Sequence, residues 1–132
     1  MKCETIEIET KRDVELVDIT DSIERCVKNT KIGICVVYTR HTTGALLINE
    51  NEEGLKRDIL NLLEKLVPRG AGYYHDRIDD NAHAHLRATL LSCSLSIPVE
   101  NGRLTLGTWQ RVFFAEFDGP RRRRVIVRVI GE

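Results

Sequence analysis

The sequence contains no long hydrophobic run and no excess of either charge. No uncharged apolar stretch reaches the roughly 18 residues that a membrane-spanning helix needs, and the first ten residues, MKCETIEIET, lack an apolar signal-peptide core. The 20 basic and 20 acidic residues cancel, so no overall field attracts nucleic acid or a membrane surface. We therefore expect a cytoplasmic protein whose partners include neither nucleic acid nor a membrane.

Cysteine is sparse, and its four positions show no redox or metal-binding spacing. Cys3, Cys26, Cys35 and Cys93 form no CxxC pair, and all but Cys3 lie in apolar or periodic segments. Buried free thiols in a reducing compartment are the favoured interpretation, with disulfides or a thiolate metal site as the alternative. The sequence also lacks a P-loop and a GxGxxG motif, so neither of these nucleotide-binding loops is present.

The apolar pattern predicts one α+β domain over residues 1–132, a length at which a single hydrophobic core suffices. Alternating or β-branched runs predict strands, whereas apolar residues at three- and four-residue steps predict helices. The predicted strands are Cys3–Thr10, Val14–Ile19, Ile32–Thr39, Ala45–Ile48, Ser94–Glu100, Arg103–Leu106, Thr108–Phe117 and Arg123–Ile130; the predicted helices are Asp21–Lys28, about Glu52–Leu66 and a short segment after the loop 69–82. We expect a largely antiparallel sheet system with two or three packed helices.

Local sequence adds expectations for individual segments. The β-branched, nearly uncharged run Ile32–Thr39 predicts a central strand covered on both faces. Asp21 and Glu24 predict a capping box at the start of the first helix. Asn101-Gly102 predicts a type I′ hairpin turn, and the four strands from Ser94 onward predict a β-meander. The core face of the long helix is predicted to consist of Leu55, Ile59, Leu62, Leu63 and Leu66.

Four histidines lie in or beside polar segments, and they suggest a metal site. His41 follows a predicted strand, His75 lies within a loop, and His83 and His85 fall at or just before a helix start. Imidazole suits zinc and similar divalent ions, although this spacing is no fingerprint and solvated loop histidines are the alternative. Because residues two apart on a helix point about 200° apart, we expect either His83 or His85 to be a bystander.

Other polar segments allow both a functional and a structural interpretation. Thr42, Thr43 and Gly44 suit a phosphate or carboxylate, or simply a turn between two buried strands. The carboxylates of Asp76, Asp79 and Asp80 suit a hard cation or a general base, or are solvated and cap a helix.

Two further features also allow both interpretations. Trp109 is expected within a strand, as a core or interface aromatic. Arg121–Arg124 suits an anionic ligand or nucleic acid. Strand alternation instead places Arg122, Arg124 and Arg128 opposite Val125, Val127 and Val129, which favours a solvated sheet face.

Several motifs together resemble the YjbQ-like family (UPF0047) over nearly the whole chain. They are His41-Thr42-Thr43-Gly44-Ala45 followed by Asn49-Glu50, Tyr74-His75-Asp76, Asp79-Asp80 with His85-Leu86, Gly102 followed by Gly107-Thr108-Trp109-Gln110, and Glu116-Phe117-Asp118-Gly119-Pro120. The resemblance implies an α+β homotrimer and an activity described as secondary thiamine-phosphate synthase. That activity joins a hydroxymethylpyrimidine diphosphate to a thiazole phosphate with loss of pyrophosphate.

The resemblance also implies roles for individual residues. It places a divalent metal at His41, His75 and His85. The metal would be zinc, or magnesium if diphosphate chemistry applies. His83 is then the bystander. Our hypothesis adds Glu50 or Asp76 as catalytic base and an anionic or phosphorylated ligand held by Thr42, Thr43, Asn49 and Trp109. The alternative hypothesis is a non-catalytic trimer that binds a metal or small ligand in the same pocket.

Oligomerisation is also expected from the residues themselves. Four consecutive strands at the end of the chain leave sheet edges that proteins usually cover. Trp109, Phe113 and Phe114 crowd one predicted strand beyond what one sheet face needs, and aromatic residues are enriched at interface centres. We therefore expect a homo-oligomer with cyclic symmetry and the site near a subunit boundary.

Overall fold

The computed structural model describes residues 1–132. The eight strands are β1 (Lys2–Glu9), β2 (Glu15–Asp18), β3 (Ile32–Thr39), β4 (Gly44–Asn49), β5 (Ser94–Glu100), β6 (Arg103–Leu104), β7 (Arg111–Glu116) and β8 (Arg122–Gly131). The helices are α1 (Thr20–Val27), α2 (Glu53–Leu66) and α3 (Ala82–Leu90), with a short 3₁₀ helix at Tyr74–Arg77. The predicted α+β fold with packed helices is confirmed.

The strands form two antiparallel sheets. The large sheet has the order β1-β8-β3-β5-β6, and the small sheet has the order β2-β7-β4. The predicted β-meander is wrong, because β7 lies in the small sheet and β8 inserts between β1 and β3. Local turn signals fix where strands end, whereas the choice of partner strand depends on contacts distant in sequence. The expected exposed edges are also absent from β7 and β8, which are both central strands.

The small sheet is buried on both faces, which gives the molecule three layers. On β7, Phe114 packs into the core between the two sheets, while Phe113 faces the second core formed with Leu63 of α2 and Ala84 of α3. Both phenylalanines are 0% exposed. Each contributes about 1.5–3 kcal/mol through burial of its apolar surface. Two cores within one chain therefore account for both phenylalanines, so their burial does not require the subunit interface for which the sequence was taken as a sign.

The helix starts are capped by different groups from those predicted at the first helix. Asp18 Oδ1 accepts hydrogen bonds from the backbone N–H of Thr20 at 3.0 Å and from its hydroxyl at 2.7 Å, so Asp21 and Glu24 form no capping box. Burial raises the pKa of Asp18, but hydrogen bonds from Arg111 and Thr20 outweigh it and lower that pKa below its usual value. At α2, the Glu52 carboxylate accepts from two backbone N–H groups of the first turn.

The amphipathic face of α2 is narrower than predicted. Leu63 is buried, but Leu62 and Leu66 are 55% and 62% exposed. Only part of the predicted apolar stripe therefore reaches the small sheet. None of the helices is long and apolar enough to cross a membrane.

The predicted hairpin between β5 and β6 is confirmed. Asn101 has φ 51° and Gly102 φ 75°, the two positive values that a type I′ turn requires. The turn packs closely on the segment after α1: the N–H of Gly102 donates to the carbonyl of Thr30 at 2.8 Å, and a Cβ on Gly102 would lie 2.5 Å from the carbonyl oxygen of Lys28. Glycine is thus required here both for its conformation and for its size.

The outer face of the large sheet carries an exposed apolar patch. Ile32, Ile34 and Tyr38 on β3 are 70%, 51% and 41% exposed, and Ile130, which pairs with Ile34, is 57% exposed. The prediction that β3 is covered on both faces is therefore wrong within one chain. Its position inside the sheet is right, because β8 and β5 flank it.

All four cysteines are free thiols. Cys26 and Cys35 are buried as expected, and burial raises the pKa of Cys35 to about 12, so this thiol stays protonated and unreactive. Cys93 is exposed, contrary to the expectation that only Cys3 lies outside the core.

Candidate functional site

A polar cleft of about 430 Å³ opens at one end of the small sheet. Its walls come from the β3–β4 link, the start of α3 and the β7–β8 link. None of the residues that line it is hydrophobic: they are Arg40, His41, Thr42, Thr43, Asn81, His85, Asp118, Arg121, Arg122 and Arg123. With four arginines against one aspartate, the cleft is suited to an anion.

The antiparallel pairing of β4 with β7 brings these separate segments together. Gly44, the first residue of β4, pairs with Glu116, the last residue of β7. The chain therefore enters β4 and leaves β7 at the same end of the sheet. A hydrogen bond of 3.1 Å from the N–H of Phe117 to the carbonyl of Thr43 extends that pairing into the cleft wall.

A buried ion pair between Glu116 and Arg123 lies beneath the cleft floor. The two side chains are 0% and 4% exposed, and Nε of Arg123 donates to Oε2 of Glu116 at 2.7 Å, while its Nη2 contacts the other carboxylate oxygen. Glu116 lies on the small sheet and Arg123 on the large one, so the pair connects the two sheets. Buried charges are tolerated in this way only when they are paired and fully hydrogen-bonded.

Hydrogen bonds from this pair hold the cleft walls. Arg123 Nη2 donates to the Thr43 hydroxyl at 2.9 Å, and the Thr10 hydroxyl donates to Glu116 at 2.9 Å. The Thr10 hydroxyl oxygen in turn accepts the N–H of Arg121 at 2.8 Å. The ion pair therefore fixes both the threonine segment and the arginine segment of the cleft.

His41 is held as a neutral imidazole with a defined tautomer. Its Nε2 accepts the backbone N–H of Arg124 at 2.9 Å, so the neutral ring carries its proton on Nδ1. Burial, and next the positive charge of Arg123, lower the pKa of His41 below its usual value of 6.5. In this state Nδ1–H can donate a hydrogen bond to an anion, but neither nitrogen offers a free lone pair to a metal.

His75 and His85 lie together beside the cleft. Their ring centroids are 4.8 Å apart with an interplanar angle of 81°, and Nε2 of His75 lies 3.1 Å from Oδ1 of Asn81. His85 also lines the cleft with His41. No three histidine, cysteine, aspartate or glutamate residues of the chain are grouped as metal ligands. The predicted metal residues are thus neighbours, but within one chain they do not fit a three-histidine site.

The remaining predicted site residues fall into two places. Thr42 and Thr43 line the cleft, and Asp76 lies next to His75, where its Oδ1 accepts the N–H of Ala82 at the start of α3. The second carboxylate oxygen of Asp76 is buried without a partner.

Asn49, Glu50 and Trp109 lie at the opposite end of β4. Asn49 pairs with Arg111, whereas the cleft begins at Gly44, and a six-residue strand spans roughly 20 Å. The prediction that Trp109 lies in a strand is wrong: its side chain is 70% exposed in the turn before β7. Two hydrogen bonds between Gly107 and Gln110 close this turn. Within one chain the structure does not bring these residues to the cleft.

His83 lies outside the cleft, 2% exposed on the inner side of α3. Burial, followed by the nearby charge of Arg87, lowers the pKa of His83, and its Nδ1 has no hydrogen-bond partner. Its position agrees with the separation expected for two histidines two residues apart on a helix, since His85 faces the cleft.

Sequence reasoning missed Arg123 and Glu116. Arg122, Arg124 and the half-buried Arg128 lie on the outer face of the large sheet, as expected from alternation, and Arg128 lies beside the apolar patch of β3. The same alternation places Arg123 with Val125, Val127 and Val129 in the core, which was a usable signal that a buried acidic partner must exist. Nothing local identified Glu116 as that partner, because the two strands lie in different sheets.

The molecule is thus an α+β protein of two packed antiparallel sheets with a positively charged cleft. A family model described as UPF0047 protein YjbQ-like matches residues 4–132. A UPF0047 protein of Archaeoglobus fulgidus is 60% identical over 123 residues, covering 93% of this chain and 97% of that protein. The protein YugU of Bacillus subtilis is 36% identical over 133 residues, covering 96% and 98%. The chain belongs to the YjbQ-like (UPF0047) family.

Solved structures agree with this assignment. A YbjQ-like protein of unknown function from Sulfolobus solfataricus superposes with a TM-score of 0.96 at 43% identity, over 99% of this chain and 97% of that one. A hypothetical protein from Aeropyrum pernix gives a TM-score of 0.96 at 40% identity, over the full length of both chains. The fold is therefore shared along the whole chain.

We predict that replacing Glu116 by Ala lowers the free energy of unfolding by about 3–5 kcal/mol, because the Arg123 guanidinium is left buried without its carboxylate. The control is Glu9→Ala, which breaks the ion pair with Arg122 between side chains that are 74% and 67% exposed and should cost less than about 1 kcal/mol. Urea unfolding at pH 7 measures both. Equal losses in the two variants would contradict the role given to the buried pair.

Proposed function

We propose that the cleft binds a small anionic ligand that carries a phosphate or diphosphate group. The observation that supports this most is the excess of arginines over acidic residues in the lining. Arg123 is paired with the buried Glu116, whereas Arg121 and Arg122 make exposed ion pairs with Asp118 at 3.1 Å and with Glu9 at 3.4 Å, which an anionic ligand can replace. Arg40 is exposed and makes no ion pair within the chain. Charge-assisted hydrogen bonds from such arginines are about twice as strong as neutral ones.

The hydrogen-bond donors beside these arginines also suit phosphate oxygens. The Thr43 hydroxyl accepts from Arg123, which leaves its own proton to donate elsewhere, and Nδ1–H of His41 is a second neutral donor. A volume of about 430 Å³ suits a small molecule. Because the cleft has the size of a small-molecule site, we propose neither nucleic acid nor a membrane as a partner. We also propose a cytoplasmic location, with which four free thiols agree.

The proposal has an enzymatic and a non-enzymatic form. In the enzymatic form the ligand is the pyrimidine diphosphate of a thiamine-phosphate synthase reaction, and pyrophosphate leaves as the carbon–nitrogen bond to the thiazole phosphate forms. Asp76 is the predicted base that lies beside the cleft, whereas Glu50, Asn49 and Trp109 would have to come from a neighbouring subunit. In the non-enzymatic form the same cleft binds the anion without turnover.

Pyrophosphate binding tests both forms at once. We expect isothermal titration calorimetry to detect pyrophosphate binding by the full chain, with an affinity that falls as salt rises. Arg40→Gln should weaken it about three- to tenfold, because an exposed arginine of the cleft is lost. The matched control is Arg103→Gln, which removes an exposed arginine on β6, a strand that contributes nothing to the cleft lining. Absence of binding, or equal effects of the two changes, would refute the proposal.

A divalent metal is a separate part of the proposal and rests on His75 and His85. Imidazole pairs favour zinc, whereas magnesium would depend on the diphosphate oxygens of the ligand. The predicted third ligand, His41, can join only after giving up its hydrogen bond from Arg124. Bound metal would act as a Lewis acid on the departing diphosphate.

Metal analysis of protein purified without a histidine tag checks this part. His85→Ala should reduce the metal content, whereas His83→Ala should leave it unchanged, because His83 is buried away from the cleft. Content is measured per mole of folded protein. The same loss in both variants, or no metal in the wild type after incubation with zinc, would remove the metal from the account.

We also propose a homotrimer closed through the apolar outer face of the large sheet. Its exposed isoleucines and Tyr38 form a largely apolar centre that also includes the half-buried Arg128, and charged pairs such as Arg124 with Glu7 lie beside it. An apolar centre with a charged rim is the usual anatomy of a subunit interface. The proposed interface is therefore this sheet face, and not the strand edges and clustered aromatics on which the sequence-based expectation of an oligomer rested.

Light scattering at micromolar concentration checks the interface. The wild type should have three times the 15.1 kDa mass of one chain, and Ile34→Lys should shift it towards the monomer. Leu62→Lys is the control, because Leu62 is about equally exposed but lies on α2, away from the outer face of the large sheet. A monomeric wild type, or dissociation by the control alone, would contradict the proposed interface.

A further inference from the structure

We infer that the cleft has a second compartment, which takes a flat apolar ring of the same ligand whose phosphate the arginines bind. This inference rests on the proposed function. The compartment, called the ring pocket below, is lined by Tyr73, Tyr74, His75, Ala82, His85 and Leu86 together with Gly72. It has a volume of about 400 Å³. Its two tyrosines and Leu86 belong to neither the proposed anion site nor the proposed metal site.

The ring pocket and the cleft share a wall. His85 lines both of them. Asn81 lines the cleft and contacts both spaces. Its Oδ1 lies 3.1 Å from Nε2 of His75 in the ring pocket, and its Nδ2 donates to Asp118 in the cleft at 3.0 Å. The two spaces are therefore adjacent along the side chains of His85 and Asn81, and the inferred ligand occupies both.

The polarity changes sharply between the two compartments. The cleft lining contains no hydrophobic residue, whereas the ring pocket presents two tyrosines, an alanine and a leucine. The perpendicular rings of His75 and His85 add an aromatic edge. Flat rings favour edge-to-face and offset contacts with such groups, and these contacts stabilise binding beyond the burial of apolar surface.

The aromatic wall is exposed but held in place. Tyr74 is 83% exposed and Leu86 41% exposed. The hydroxyl of neighbouring Tyr73 donates to the carbonyl of Pro68 at 2.8 Å, and the guanidinium carbon of Arg77 lies 5.5 Å from the ring centroid of Tyr74. An ordered exposed aromatic loses little conformational freedom when a ligand covers it, which is what a preformed binding surface requires.

The chemistry therefore selects one ligand class, a phosphate or diphosphate ester of a flat ring. Inorganic phosphate would fill the cleft and leave the ring pocket to water. An apolar molecule without an anionic group would leave the arginines unpaired. A contact between copies of this chain is the competing explanation for the exposed Tyr74, and the experiment separates the two.

The experiment compares phenyl phosphate with methyl phosphate by calorimetry on the full chain. We expect the wild type to bind phenyl phosphate about tenfold more tightly, since the ring adds buried apolar surface at an unchanged charge. Tyr74→Ala should reduce this preference to about threefold or less and leave the affinity for inorganic phosphate unchanged. Ile78→Ala is the matched control, because Ile78 is 79% exposed on the same loop but lies outside the lining.

The possible failures are distinguishable. If none of the three phosphates binds, the proposed function fails and the ring pocket with it. If all bind but phenyl and methyl phosphate bind equally, the ring pocket alone is refuted. If Tyr74→Ala changes the mass in light scattering and not the preference, Tyr74 is a subunit contact and the inference is overturned.

Discussion

The buried pair of Glu116 and Arg123 is the interaction on which the candidate site depends. It joins the small sheet to the large sheet, and both side chains are almost fully buried. Removing two charges from water is costly, and this pair offsets that cost with hydrogen bonds to Thr10, Thr43 and the backbone of Asp118. Thr43 and Asp118 line the cleft and Thr10 holds the backbone of Arg121, so the stability of this region and the shape of the site have a common origin.

The three-layer packing explains why the cleft lies where it does. The small sheet is covered by the large sheet on one face and by α2 and α3 on the other, so its side chains are unavailable to a ligand. Only the ends of its strands are open. The polar loops that line the cleft lie at the end of the small sheet where Gly44 pairs with Glu116. Trp109 and the Arg111–Asp18 ion pair lie at the opposite end of that sheet.

Most of the local structure could be predicted from the sequence, because local chemistry determines it. The alternation of β1, the apolar periodicity of α2 and the Asn101-Gly102 turn each depend on a few neighbouring residues. The pairing of β7 and β8 with strands of two different sheets could not be predicted, since it is decided by packing across the whole chain. The β-branched run of β3 looked fully buried because an apolar outer face and a buried face have the same composition.

The site was predictable in part for the same reason. The polar segment His41–Thr43 and the loop before α3 were recognisable, and they do lie together. The tautomer of His41, which favours an anion over a metal, depends on a hydrogen bond from a strand 83 residues away. The buried position of Arg123 follows from strand alternation, but its partner required the arrangement of both sheets.

The central claim is that this cleft binds a tetrahedral oxyanion. Crystals of the full chain, grown without sulfate or phosphate and soaked in tungstate, would locate such an anion by anomalous diffraction at the tungsten edge. We expect a strong peak within hydrogen-bonding distance of the Thr43 hydroxyl, Nδ1 of His41 and an arginine of the cleft. A cleft without that peak, or one filled by side chains of a neighbouring subunit, would contradict it.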